Sequence, residues 1–282
     1  MRLKDILVHL DATPRCAARL QLAVTLARQH DAHLTGLHVV EPLVPAMALA
    51  DGGGGGLLLG DLIDQMRAQA LGAAATIEAG FRETLRREAI RGEWRLVEGG
   101  LPEVVALHAR YADLAVLGQR DPADPASHAG LVVEQVLFAA GRPVLVVPYA
   151  GRFEQVGRRV LVGWNASREA ARAVADALPI LAAAESVTVL AANPDAGPGR
   201  QGEEPGADIA LHLARHGVTA TVERVTAPGT PDAEVLLNKA SERAADLLVI
   251  GAYGHSRLRE IVLGGVTRTL LQAMTVPVLM SH

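Results

Sequence analysis

The chain has 282 residues, half of them hydrophobic and only 3% aromatic, and its 27 basic and 31 acidic side chains give a formal charge of −4. That length and apolar content suit one large or two ordinary domains with cores of Val, Leu, Ala and Ile. The slightly acidic balance lacks the basic face of a nucleic-acid binder, and no apolar run reaches the ~18–20 residues that span a bilayer.

In chain order, the first half predicts a strand over about 5–10, a helix over about 14–30 and a strand over 32–40 that ends at Glu41-Pro42. The N-terminus therefore reads as strand rather than signal peptide. The single Cys16 forbids an internal disulfide and fits a reducing cytoplasm. Gly52 to Gly56 is a run whose ordering would cost much entropy, expected as a mobile loop. A long helix follows over about 60–91, with Leu62, Met66, Ala70 and Ala73 on one face. Then come strand 93–98, helix 101–111, strand 113–118, helix 130–140 and strand 143–147. Pro148 to Gly157 reads as a linker. The second half runs strand 159–164, helix 167–183, strand 186–191, helix 204–216, strand 218–225, helix 231–243, strand 246–250, helix 265–274 and strand 276–280. The polar stretch Asn193 to Gly206 reads as a surface loop, with a lid over a pocket as the alternative.

Strands alternating with helices predict parallel βαβ units with right-handed crossovers. The expected fold class is α/β: two tandem Rossmann-like domains, 1–150 and 157–282, each a five-stranded, mostly parallel sheet flanked by helices. The two halves repeat one another. Asp11 and Asn165 end matching strands 154 positions apart, whereas Ala112-Asp113 and Ala245-Asp246 match at 133. The shorter offset places an insertion in the first half, over 42–91. Strand five of each half is an expected sheet edge, and exposed edges invite pairing.

The segment that carries most chemistry is Gly251-Ala-Tyr-Gly254, followed nine residues later by Gly264-Gly265-Val266-Thr267. It follows the buried strand that ends at Ile250 and opens a helix. Glycines let backbone N–H groups approach a ligand, and a helix N-terminus adds unpaired donors and partial positive charge that suit phosphate. Two ordinary turns around a short helix would leave the same trace, because isolated glycine motifs are weak evidence.

Read as a pattern, Gly, two residues, Gly, nine residues, Gly resembles the nucleotide-binding signature of the universal stress protein family, and the chain is similar to a tandem, UspA-like member of it across nearly its whole length. The resemblance implies an adenine nucleotide α-hydrolase-like fold and a stress-response protein that binds ATP or AMP, with Mg²⁺ accompanying the phosphates. It implies nucleotide contacts from Asn165, Ile250, Gly251, Gly254, Gly264, Gly265, Val266 and Thr267. It also implies pairing of the two halves through strand five, as an internal pseudo-dimer; homodimerisation and an unknown protein partner are further expectations.

Departures from the pattern divide the halves. ATP-binding members usually have Ser or Thr where this chain has Gly265; Thr267 would supply the hydroxyl. The family's acidic residue at the end of strand one is Asp11 in the first half, which is equally suited to capping a helix with Pro14 in its first turn. It is Asn165 in the second, an amide whose hydrogen bonds are weaker than charge-assisted ones. The first half has Asp121 where the second has Gly254, and Leu131 where the second has Gly265. A carboxylate facing phosphate implies that the first half has lost triphosphate binding and that the working site is the second. Arg257, Arg259 and His255 lie between the glycines as phosphate contacts or solvated charges. Trp164 packs at the sheet end or stacks on adenine. His9, His33 and His38 are expected in or near strands, and no zinc spacing accompanies them.

Neither a Walker motif nor a nucleophile elbow is present. The readings left open are a nucleotide-binding regulatory protein, a nucleotide-free scaffold of the same fold, and a slow ATP hydrolase.

Overall fold

The computed structural model describes residues 2–42, 56–123, 129–194, 204–253 and 265–282. In the first half, β1 (Asp5–His9), α1 (Cys16–His30), β2 (His33–Val40), α2 (Gly56–Glu88), β3 (Gly92–Glu98), α3 (Leu101–Ala109), β4 (Leu114–Gly118), α4 (Ala129–Ala140) and β5 (Val144–Val147) alternate. The second half repeats the order with β6 (Arg159–Gly163), α5 (Arg168–Leu181), β7 (Ser186–Ala192), α6 (Ala207–Arg215), β8 (Ala220–Val225), α7 (Asp232–Glu242), β9 (Leu247–Gly251), α8 (Val266–Ala273) and β10 (Val278–Ser281). The expected element order holds throughout, with ends moved by a few residues. The insertion is visible in helix length: α2 has 33 residues and its counterpart α6 has nine.

The strands form one sheet in the order β3-β2-β1-β4-β5-β10-β9-β6-β7-β8, the two five-stranded halves joined at β5 and β10 as the resemblance implies. Among the described residues every pairing within a half is parallel, and β5 pairs with β10 antiparallel. Its register sets Val278 opposite Val146, Leu279 opposite Leu145 and Met280 opposite Val144. Leu145 and Leu279 occupy equivalent positions of the two repeats, so the seam is isologous: each half offers the same strand to the other.

The central strands are buried on both faces, as helix-covered parallel sheets require. One face carries α1, α2, α5 and α6 through Leu22, Val24, Phe81, Ala173, Ile180 and Leu213. The other carries α3, α4, α7 and α8 through Val105, Val136, Leu236 and Leu270. Within each half the chain winds outward in both directions from its first strand. The strand order therefore reverses between β1 and β4, and again between β6 and β9, and the carboxyl ends of these two strand pairs are the crevices where such sheets bind ligands.

Several local expectations are corrected. Gly56 belongs to α2, while Gly52 to Gly55 lie outside the described residues. The inward stripe of α2 is Ile63, Met66, Ala70, Ala74, Ile77, Phe81 and Leu85; Leu62 and Ala73 face outward. Asp11 does not cap α1, whose first turn receives no side-chain cap from its flanking residue Arg15. Instead Asp11 Oδ1 accepts from the Thr13 N–H at 3.1 Å.

Candidate functional site

The crevice of the second half is built from the exits of β6 and β9 and the entry of α8. After β6, Trp164 N–H donates to Leu190 O at 2.9 Å, extending the ladder by one residue and packing the indole against the core. Asn165 follows, exposed, with its Oδ1 accepting from Ser167 N–H at 3.1 Å. Ala166 takes the left-handed conformation at φ 56°, and Ser167 caps α5 by accepting from Ala170 N–H at 3.1 Å. This turn occupies the carbonyl of Asn165 and leaves its NH₂ as the group that can donate to a ligand.

Ile250 is buried at the end of β9, and Gly251 closes the strand. Gly251 is required by space rather than by φ. A Cβ there would collide with Ala170 N and lie 2.5 Å from the Glu169 carbonyl carbon, so the first turn of α5 rests directly on the strand end. After β9, Tyr253 takes the left-handed conformation at φ 56°. Its N–H donates to Thr267 Oγ1 at 3.2 Å, which ties the exit of β9 to the first turn of α8. Thr267 is buried. Gly265 precedes α8 at φ −58° and supplies no side-chain cap, while Val266 opens the helix exposed. Among the described residues no side chain caps the first-turn N–H groups of α8, a condition that suits an anion.

The structure therefore brings Asn165, Ile250, Gly251, Gly265, Val266 and Thr267 to the carboxyl ends of β6 and β9. Gly254, Gly264, His255, Arg257 and Arg259 lie outside the described residues, as does 195–203, most of the loop considered as a lid. Sequence reasoning missed Glu169. It is buried in the first turn of α5 beside Gly251 and pairs with Arg168. Burial alone would raise its carboxyl, but the hydrogen bond and charge of Arg168 together with a backbone hydrogen bond and the nearby His282 hold it below the usual range. The available signal was an acidic residue two positions past the capping Ser167.

The first-half crevice is built differently. His9 is buried, and its imidazole is pushed down to about 3 by burial and then by Arg19. Arg19 is buried on α1; its Nε–H donates to His9 O at 2.6 Å and its Nη2 lies 2.7 Å from Asp11 Oδ2. Burial would raise the Asp11 carboxyl, but Arg19 holds it below the ordinary value. His38 contacts Leu10 O through Nδ1 at 2.7 Å. Asp121 accepts from Ala123 N–H at 2.9 Å, in a local turn. Cys16 is half-buried, and burial pushes its thiol up, away from reactivity. A polar cleft of about 370 Å³ lined by Asp5, His33, Glu93, Arg95 and His108 opens at the opposite, amino ends of β1 to β3.

Among the described residues no cluster of three or more His, Cys, Asp or Glu could hold a metal ion, and no helix is long and apolar enough to cross a membrane.

Comparison with known proteins agrees with this architecture. The model of the universal stress protein family matches twice, over residues 2–148 and 157–282. Universal stress protein Slr1230 of Synechocystis is 27% identical over 189 residues, a match spanning 59% of this chain and 57% of that protein. Universal stress protein YxiE of Bacillus subtilis is 42% identical over 66 residues, covering 23% of this chain and 43% of that protein. The chain thus spans about half the length of the curated relatives it matches. The crystal structure of a universal stress protein from Archaeoglobus fulgidus superposes with a TM-score of 0.69 at 17% identity, covering 98% of this chain and 95% of that one. The repeated α/β fold, the doubled family match and these relatives together place the chain in the universal stress protein family, as a member that carries the family's unit twice.

Proposed function

We propose that the protein is a nucleotide-binding regulatory member of this family, with one adenine-nucleotide site in its second half. The observation that carries this reading is the convergence of Asn165, Gly251 and the glycine-led N-terminus of α8 on the β6/β9 crevice. ATP or AMP would lie across the strand ends, its adenosine portion within reach of the Asn165 NH₂. Its phosphates would meet the N–H groups of Gly265, Val266 and Thr267 and of the Gly254 and Gly264 segment, with Mg²⁺ on the phosphates. Residues 1–150 and 157–282 act as the two units, and occupancy of the second alters a surface read by a protein partner in the cytoplasm.

A nucleotide-free scaffold is the second reading, favoured by one observation: Gly251 is already explained by the close approach of α5. Hydrolysis finds no supporting base or nucleophile among the described residues of the crevice, and a turnover assay separates it from the other two.

A fluorescent ATP analogue tests the reading. Asn165→Asp restores a charge-assisted bond and tightens binding roughly tenfold, while Gly254→Asp sets a carboxylate against phosphate and abolishes it. Equal affinity in wild type and Gly254→Asp would overturn the assignment.

A further inference from the structure

The two crevices differ by a coupled exchange. Asp11 and Asn165 hold equivalent positions, each following its strand by two residues and each accepting from the N–H two residues on, from Thr13 and Ser167 respectively, at 3.1 Å. At the same 154-residue offset Arg19 is matched by Ala173, and both are buried in the helix that follows. The half with the carboxylate has the guanidinium, and the half with the amide has a methyl group.

The Arg19 guanidinium lies at the reversal of strand order. It donates to the last carbonyl of β1, contacts the Asp11 carboxylate, and lies so close to the end of β4 that a Cβ on Gly118 would collide with its Nη1. In the second half the corresponding space above Gly251 is closed by the backbone of α5 itself. Gly118 is thus a glycine that makes room for an arginine of its own chain.

We propose that Arg19 is the resident occupant of the first-half crevice, a built-in cationic ligand that satisfies Asp11 and closes this half to nucleotide. A planar fork with several donors suits that task as a compact ammonium does not. The crevice is in consequence a guanidinium site, and removing the side chain leaves it selective for small guanidinium compounds. The occupancy does not depend on the nucleotide reading of the second half; only the resulting count of one nucleotide per chain does.

The test is chemical rescue of Arg19→Ala in the full-length protein, followed by thermal melting. Millimolar methylguanidinium is expected to recover at least half of the melting temperature the variant loses, methylammonium is expected to recover none, and wild type is expected not to respond. Recovery by neither compound, or equally by both, would overturn the proposal. Should Arg19→Ala fail to fold, wild-type protein answers by NMR. Arg19 Nε–H is expected to exchange at least a hundredfold more slowly than surface arginines, and exchange as fast as theirs would overturn it. Absence of ATP binding to wild type would remove the nucleotide reading while leaving the rescue result standing.

Discussion

His9 shows how a single residue links the crevice to stability. Its ring is buried beside Arg19, so the folded chain keeps it neutral down to about pH 3, whereas the unfolded chain protonates it near 6.5. Between those values the unfolded state binds the extra proton, and stability falls as pH is lowered, by up to about 1.4 kcal/mol per pH unit for one such group. His30 and His108 are shifted downward chiefly by burial and add to the same trend. Asp11 acts lower: its contribution is complete above 3.8 and is lost as pH falls through its depressed folded value. Urea titrations at pH 7, 6, 5 and 4 should therefore show a shallower loss of stability in His9→Gln than in wild type; parallel curves would contradict the account. Asp11 and Asn165 were legible as the residues that end matching strands. Arg19 was not, although a guanidinium on the inward stripe of Leu20, Ala23 and Ala27, eight positions after Asp11, was the available sign.

Elements were legible in order and type because apolar runs of four to six residues alternate with alanine-rich helices. Their phases were less so. In α2, alanine and glycine make several helical faces nearly equal in hydrophobicity. The packing of Phe81 against Gly36, where an added Cβ would lie 2.9 Å from the ring, fixes which face turns inward. The glycine motif was read for backbone freedom, yet at Gly251 its described use is close packing of α5 on β9. This gives a prediction at the element scale. Gly251→Ala drives a methyl group into the backbone of Glu169 and Ala170, and should destabilise the protein by about 2 kcal/mol, as overpacking of a core does. Gly118→Ala meets the Arg19 guanidinium rather than backbone, and should cost less, its loss falling on the bonds Arg19 makes to His9 and Asp11. Equal losses in denaturant melts would show that α5 is not held at this contact.

At the scale of the whole molecule, the seam between β5 and β10 makes ten strands one sheet. Strand five was recognisable as an edge and the family resemblance implied its pairing with its counterpart, but the register was not legible, because it depends on the pseudo-two-fold relation between Leu145 and Leu279 rather than on local pattern. Further ties cross the seam: Gln119 Nε2 donates to Leu271 O at 2.8 Å, and Phe138 packs on Tyr253 and His282 with ring centroids 4.9 and 4.7 Å apart. With the halves sharing a sheet, calorimetry should record one cooperative transition, and Leu279→Ala should lower its stability by about 2–5 kcal/mol without splitting it. Two separate transitions in wild type would mean that the halves fold as independent units.

That shared sheet holds two crevices of unlike chemistry, one filled by Arg19 and one opening on Asn165 and α8. The measurement that tests this account most directly is calorimetric titration of the full-length protein with ATP and Mg²⁺. The account predicts one equivalent bound per chain in wild type and none in a folded Gly254→Asp variant. No heat of binding to folded wild-type protein, or two equivalents per chain, would contradict it.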